Sequence, residues 1–293
     1  MPHPEKRLKF DRPPSTGPRY LAIAMSRKPS RLADGLTIPE MEAVQAPRPI
    51  DGMHLRDYRR VCGLEETDAV PLVYPHVLAA PAQLALLSHP DFPLRLLGLV
   101  HLKNEIVQYR LIAPGDQLGL RISVGGHRDT EKGQEFDIVT RVTRGEELVW
   151  LETSTALARA PRKADAAEPS AREGQVFPSM AQSLSWQAPE DAGRAYAGVS
   201  GDYNPIHLSR ITARWFGFRQ PIAHGMWTLA RCLGELGMAH PRERCTVTVG
   251  FGKPLYLPGW VVLGCERARG AVRFRLSDSA GSRVFMNGAI EKF

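Results

Sequence analysis

Apolar residues along this chain recur at helical spacing in one stretch and alternate with polar residues in several others. Met226, Leu229, Ala230, Leu233 and Leu236 fall on one helical face, and Trp227 and Cys232 carry apolar character around the rest of it. A helix that is apolar nearly all round is a buried helix. Strand-like runs follow at 246–251, 259–263, 271–276 and 283–286, and similar runs stand upstream at 118–124, 135–143 and 148–157. A long buried helix followed by antiparallel strands predicts α+β architecture, with a curved sheet wrapped around the helix.

The two groups of strands belong to an internal repeat. The stretch from Tyr58 to Gly63 resembles that from Tyr196 to Gly201, Pro75–Leu87 parallels Ala223–Glu235, and Leu111–Gly115 parallels Leu255–Gly259. Three matches in the same order, at offsets of 138, 148 and 144 residues, indicate a duplicated domain whose copies have diverged. Between the copies, residues 159–174 hold two prolines and no large apolar side chain, which is linker composition. The expected organisation is a loose basic tail at 1–19, a first domain at 20–160, a linker at 161–178 and a second domain at 179–293.

Composition narrows the class. Of 293 residues, 43 % are apolar and 24 % charged, as in ordinary globular proteins. The formal charge of +7 suits nucleic acid, anionic lipid or a small polyanion equally. Arg141, Arg144, Arg159, Arg162 and Lys163 are dispersed and no nucleic-acid motif accompanies them, so nucleic acid is not expected. No stretch approaches the length of a membrane span. Cys62, Cys232, Cys245 and Cys265 lack metal or redox spacing and read as reduced, buried thiols of a cytoplasmic protein. The basic N-terminus leaves organellar import open, although Glu5 and Asp11 count against it. The apolar run from Tyr20 to Met25 is too short for a secretory leader.

Candidate chemistry concentrates between Ser200 and His207. Pro205 fixes its own φ and pushes Asn204 out of the helical region, so Asp202 and His207 flank a sharp bend. A carboxylate beside an imidazole is general acid–base equipment near neutral pH. For an arbitrary Asp and His at this spacing, a helix cap and a satisfied loop histidine are the plainer assignment.

The rest of the segment changes that balance. Tyr196, Val199, Ser200, Gly201, Asp202, Asn204, Pro205, Ile206, His207 and Ala213 together resemble the signature of the MaoC-like, R-specific enoyl-CoA hydratase family. Phe218–Met226 resembles the family's entry into its central helix, and Phe251–Gly259 its later strand and turn. The resemblance covers residues 182–293 well and the first half only as an echo. It implies two tandem hotdog domains, the C-terminal one catalytic and the N-terminal one degenerate and helping to accommodate the acyl chain. It implies Asp202 and His207 as catalytic residues and Asn204 as loop support or substrate contact. Gly225 is implied as the oxyanion-hole residue, its N–H unpaired at the positive end of a helix. Close helix–sheet packing is the other reason for a glycine there.

The implied reaction is reversible hydration of a trans-2-enoyl thioester to the (3R)-3-hydroxyacyl product. It needs no metal or redox cofactor. The implied partners are an acyl-CoA or acyl-carrier-protein substrate and a second double-hotdog chain in a homodimer. Leu64–Ala69 lacks Asp and His at the matching places, so one site per chain is expected. His224 is read as a packing or hydrogen-bonding residue, and Trp215 and Phe216 as core or acyl-pocket wall. Arg210, Arg214 and Arg219 are read as surface arginines more often than as phosphate ligands. Trp260 stands where the family often has aspartate, which points to a narrowed acyl tunnel or altered packing. Two other functions are weighed: a hotdog thioesterase, which releases free thiol, and a non-catalytic acyl-CoA-binding subunit, which has no need of Asp202, His207 and Gly225 together.

Overall fold

The computed structural model describes residues 6–159, 182–241 and 244–292. Among them eleven strands form one sheet. The first half supplies β1 (Lys6–Phe10), β2 (Met41–Pro49), β3 (Val100–Gln108), β4 (Gln117–Thr130), β5 (Gly133–Arg144) and β6 (Glu147–Arg159). The second supplies β7 (Gln182–Ala188), β8 (Cys245–Phe251), β9 (Gly259–Ala268), β10 (Ala271–Ser277) and β11 (Val284–Lys292). The helices are α1 (Gly17–Ala24), α2 (Gly52–Cys62), α3 (Tyr74–Leu87), α4 (Ala192–Ser200), α5 (Arg210–Arg214) and α6 (Gly225–Glu235). A 3-10 turn covers Pro205–His207.

The order across the sheet is β1-β2-β4-β5-β6-β3-β8-β11-β10-β9-β7. With β1 set aside, each half reads outward from the middle through its second, fifth, fourth, third and first strands. The repeated order is the duplication written in hydrogen bonds. The halves join where β3 pairs antiparallel with β8, from Lys103 opposite Gly250 to Gln108 opposite Cys245. Ile106 and Val247 face each other across this seam and are both buried.

Alternation explains which face each strand buries. Val272, Phe274 and Leu276 of β10 are buried while Arg273 is exposed, as the period of a one-sided strand requires. α6 buries Met226, Trp227, Thr228, Leu229, Ala230, Cys232 and Leu233, and each large aliphatic among them contributes about 1.5–3 kcal/mol. The matched helix ends have a common cause. α2 stops at Gly63 with φ 60° and α4 at Gly201 with φ 72°, left-handed positions that glycine occupies without a Cβ clash. The two helices pack together, with Tyr58 5.1 Å from Tyr74 and 6.4 Å from Tyr196 between ring centroids. His54 of α2 also donates Nε2–H to Val199 O of α4 at 2.7 Å, and its Nδ1 accepts from the Tyr74 hydroxyl at 2.8 Å.

The α+β expectation holds, and the loose tail expected at 1–19 needs correction. Residues 6–10 pair parallel to β2, Lys6 opposite Met41 to Phe10 opposite Gln45, and α1 begins at Gly17. Edge pairing orders a polar, basic segment because backbone hydrogen bonds need no particular side chain. The linker expected at 161–178 lies outside the described residues. Trp260 is 63 % exposed. Trp215 and Phe216 are exposed as well, contrary to the expectation of core or pocket wall.

Candidate active site

The segment after α4 is built from turns that its own side chains close. Asp202 N donates to Ser200 Oγ at 3.1 Å, Asn204 N to Asp202 Oδ1 at 3.1 Å, and Ile206 N to Asn204 Oδ1 at 3.4 Å. Asn204 is thereby the cap of the 3-10 turn that Pro205 opens, a position that favours a short polar side chain before a proline. The bend turns His207 inward, where it is buried. Asp202 stays partly open, with 44 % of its side chain exposed.

His207 has a defined tautomer. Its Nδ1 lies 2.7 Å from Ile222 O, and a carbonyl only accepts, so Nδ1 carries the proton and the neutral ring keeps its lone pair on Nε2. Burial lowers the pKa of His207, against the opposing charge of Asp202 and the Ile222 hydrogen bond. The ring is neutral at pH 7. For Asp202, burial acts upward, but the imidazoles of His224 and His207, the Asn204 amide and the Tyr20 hydroxyl outweigh it and hold the carboxyl below its usual range.

One carboxylate oxygen of Asp202 and one nitrogen each of His207 and His224 lie within 4.8 Å of one another. Two hydrogen bonds of about 2.8 Å meeting at a tetrahedral oxygen span about 4.6 Å. The separation of carboxylate and imidazole, at most 4.8 Å, does not exceed what one bridging water spans. The same three groups have the composition of a metal site, but the rings of His207 and His224 are stacked, 3.6 Å apart at 26°. Lone pairs of stacked rings run side by side, whereas an ion needs lone pairs that converge.

His224 holds the site from behind. Its Nε2–H donates to Asp202 O at 3.1 Å, its ring also lies 5.0 Å from Tyr196, and its Nδ1 is buried without a partner. Burial and then the neighbouring His207 push its pKa down to about 3. A neutral ring can stack on His207 without charge repulsion. His224 immediately precedes α6, whose first described helical bond of this kind runs from Thr228 N to His224 O at 3.0 Å. The N–H groups of Gly225, Met226 and Trp227 come before that bond, at the positive end of the helix. At Gly225 a Cβ would stand 2.7 Å from Phe251 Cε1, so the glycine is required by packing against β8.

Sequence reasoning missed Tyr20. The α1 helix lies outside both repeats, yet its Tyr20 hydroxyl donates to Asp202 Oδ1 at 3.1 Å and accepts from Tyr203 N at 2.9 Å. Burial, then the Asp202 charge, push the phenol well above its usual pKa, so it remains a donor. The run from Tyr20 to Met25 signals only an apolar segment, and no local pattern announces a contact across 182 residues.

Also missed was a buried polar cluster in the first half. Glu152 Oε1 accepts from Asn104 Nδ2 at 2.7 Å and pairs with His76 Nδ1 at 2.8 Å, while Asn104 Nδ2 reaches Ser154 Oγ at 2.9 Å. For His76 burial acts downward, but the Glu152 charge prevails and raises the pKa. His76 occupies the repeat position of His224. Next to it, His101 lies 4.6 Å from Phe251, and burial, then His76, push its pKa down to about 4. The loop after Gly63, the repeat counterpart of the Asp202 turn, is instead tied down by Arg59, which donates to Thr67 O and Ala69 O at 2.9 Å each.

A cavity of about 490 Å³ lies between α1 and the end of α3, lined by Ile23, Leu87, Leu94 and Leu96 among others. It does not include Asp202 or His207. It does share α1 with the site, since Arg19, beside Tyr20, donates to Ser88 Oγ at 3.4 Å.

The family model described as a MaoC like domain matches residues 170–255. The 3-hydroxyacyl-thioester dehydratase X of Mycobacterium tuberculosis is 34 % identical over 223 residues, covering 75 % of this chain and 78 % of that protein. A crystal structure of HtdX of M. tuberculosis superposes with a TM-score of 0.74 at 30 % identity, covering 86 % of this chain and 100 % of the other. An M. tuberculosis protein described as having a double hotdog fold matches with a TM-score of 0.50 at 14 % identity over 85 % of this chain and 94 % of its own. That last likeness bears on fold alone, and each five-stranded half here is a hotdog.

Proposed function

Because the chain belongs to the MaoC-like dehydratase family and is a hydro-lyase, we propose that Asp202 and His207 hydrate a trans-2-enoyl thioester to the (3R)-3-hydroxyacyl thioester and catalyse the reverse dehydration. The observation that carries this reading is the spacing of the Asp202 carboxylate and His207 imidazole, no more than 4.8 Å, with the His207 lone pair left on Nε2 by the Ile222 hydrogen bond.

One water sits between the two groups. Asp202 accepts a hydrogen bond from it and orients it towards C3. As the water oxygen bonds to C3, His207 Nε2 takes its proton, and electrons of the C2–C3 double bond move onto the thioester oxygen. The N–H of Gly225 receives that developing negative charge at the helix N-terminus. Collapse of the enolate returns the electrons to C2, which takes the proton from His207. Every atom of the water ends in the product, and His207 is neutral again. Asn204 supports the turn through its cap rather than through a proton.

The acyl chain occupies the cavity beside α3, where Ile23, Leu87, Leu94 and Leu96 suit an alkyl chain and Arg27 and Lys28 also line the space. A thioesterase would direct the same water at the thioester carbonyl and release thiol, and an acyl-binding subunit would turn over neither way. Incubation with but-2-enoyl-CoA, followed by enoyl absorbance, thiol release and product chirality, separates the three. Asp202→Asn and His207→Ala should each lower kcat by about 100- to 10,000-fold with an unchanged melting profile. Wild-type turnover in either folded variant refutes the assignment.

A further inference from the structure

We propose that α5 and the residues flanking it form a docking surface for an acidic acyl-carrier protein, which presents its acyl group to Asp202 and His207 on a phosphopantetheine arm. The proposal rests on the acyl-thioester reading above and specifies the carrier.

α5 is fastened directly to the turn that bears His207. Ser209 caps it, with Thr212 N donating to Ser209 Oγ at 3.2 Å, and Thr212 Oγ1 donates to Pro205 O at 2.7 Å. Only Ala213 of this helix is buried. Ile211 and Trp215, one helical turn apart, are 69 % and 73 % exposed, and the adjoining Phe216 is exposed as well. The other large exposed apolar residues among those described, Met25, Leu36, Met53, Leu184, Tyr203 and Trp260, are scattered along the chain. A cluster of this kind at the edge of a catalytic turn marks a contact surface.

Charge selects the partner. From Tyr203 to Gly234 the chain contains no Asp or Glu and has Arg210, Arg214, Arg219 and Arg231. Arg210 and Arg214 are exposed, one turn apart, and interleave with Ile211 and Trp215. Neither forms a salt bridge among the described residues. Arg219, five residues after Arg214, lies over the Tyr256 ring at 4.6 Å. An apolar centre flanked by unpaired cations complements an acidic surface with an apolar centre. A free nucleotide is held in a concave site, whereas most of the Ile211 and Trp215 side chains stands open to solvent.

The test compares one trans-2-octenoyl group carried on a bacterial acyl-carrier protein, on CoA and on N-acetylcysteamine. Two paired variants are used, Arg210→Glu with Arg214→Glu, and Ile211→Ser with Trp215→Ala. Each pair should lower kcat/KM for the carrier-protein substrate at least about tenfold, mainly through KM, and leave the other two thioesters within about twofold. Added salt should weaken the carrier-protein reaction of the wild type far more than that of the Glu pair. An equal loss with CoA would make the surface a nucleotide site and overturn the proposal, as would no loss with the carrier protein. Conversion of a wild-type dimer to monomer by these changes, seen by sedimentation, would make it a self-interface and also overturn it. If the wild type acts on none of the three thioesters, the assigned activity fails, and calorimetric titration with the acyl-carrier protein still decides the docking: binding lost in both pairs supports it, and no binding by the wild type refutes it.

Discussion

Tyr20→Phe removes one hydroxyl from the active site and keeps the aromatic ring. The lost contacts are the 3.1 Å bond to Asp202 Oδ1 and the 2.9 Å bond from Tyr203 N. A hydrogen bond to a charged acceptor contributes about 1.5–3 kcal/mol when shielded. With 44 % of the Asp202 side chain exposed, water replaces part of it, and about 1 kcal/mol is the appropriate scale. The Asp202 pKa should therefore rise. The sign follows from the donor: a hydroxyl that stabilises the carboxylate more than the acid lowers the pKa, and its removal raises it. Because the group starts below the usual carboxylate range, it remains ionised at pH 7. Activity at that pH should then fall only through a less fixed carboxylate, by about three- to tenfold in kcat with KM little changed. Carbon-detected NMR titration of the Asp202 carboxyl and steady-state kinetics read the two effects separately. An Asp202 midpoint that stays put or moves down, or a defect confined to KM, would refute the positioning role of Tyr20.

Gly225→Ala places a methyl 2.7 Å from the Phe251 ring and should destabilise the fold by about 1–3 kcal/mol, read by chemical denaturation; Phe251→Leu in the same chain should recover most of the loss. Stability should decline on acidification from pH 7 to 4, because the unfolded chain protonates His101 near 6.5 while the folded one resists to about 4. The contribution is whole above the unfolded pKa and drains away as pH falls, up to about 3 kcal/mol for this residue; His101→Phe should flatten that part of the profile. Ala22→Trp, on the exposed side of α1 beside the cavity, should lower kcat/KM for dodecenoyl-CoA at least about fivefold relative to butenoyl-CoA, and equal effects on both would place the acyl chain elsewhere.

The parts of the fold legible in the sequence are those whose signals are local. The apolar face from Met226 to Leu236 predicts α6, and alternation predicts β10 to within a residue. The Asp202–His207 turn is readable because Asn204 and Pro205 encode its bend. β11 runs to Lys292, well past the expected 286, because its later residues draw their order from β8 and β10 on either side. Long-range partners leave no such trace. Nothing near Tyr20 says that its hydroxyl meets Asp202, and nothing near Glu152 says that His76 supplies its counter-charge. The stacking of His224 on His207 is likewise hidden, although a packing or hydrogen-bonding histidine at 224 is expected and its bond to Asp202 O is of the second kind.

The joining of β3 to β8 has a consequence for how such a protein can change. Two identical subunits meeting at an equivalent seam would receive every mutation twice, so a residue useful at one bend would be imposed on the other. Here the two bends are encoded separately while the strands between them hold their mutual position. One has been filled by the Arg59 guanidinium and the other has kept a carboxylate and an imidazole. Covalent linkage permits that asymmetry, and pulling the halves apart would leave β3 and β8 each an unpaired strand edge.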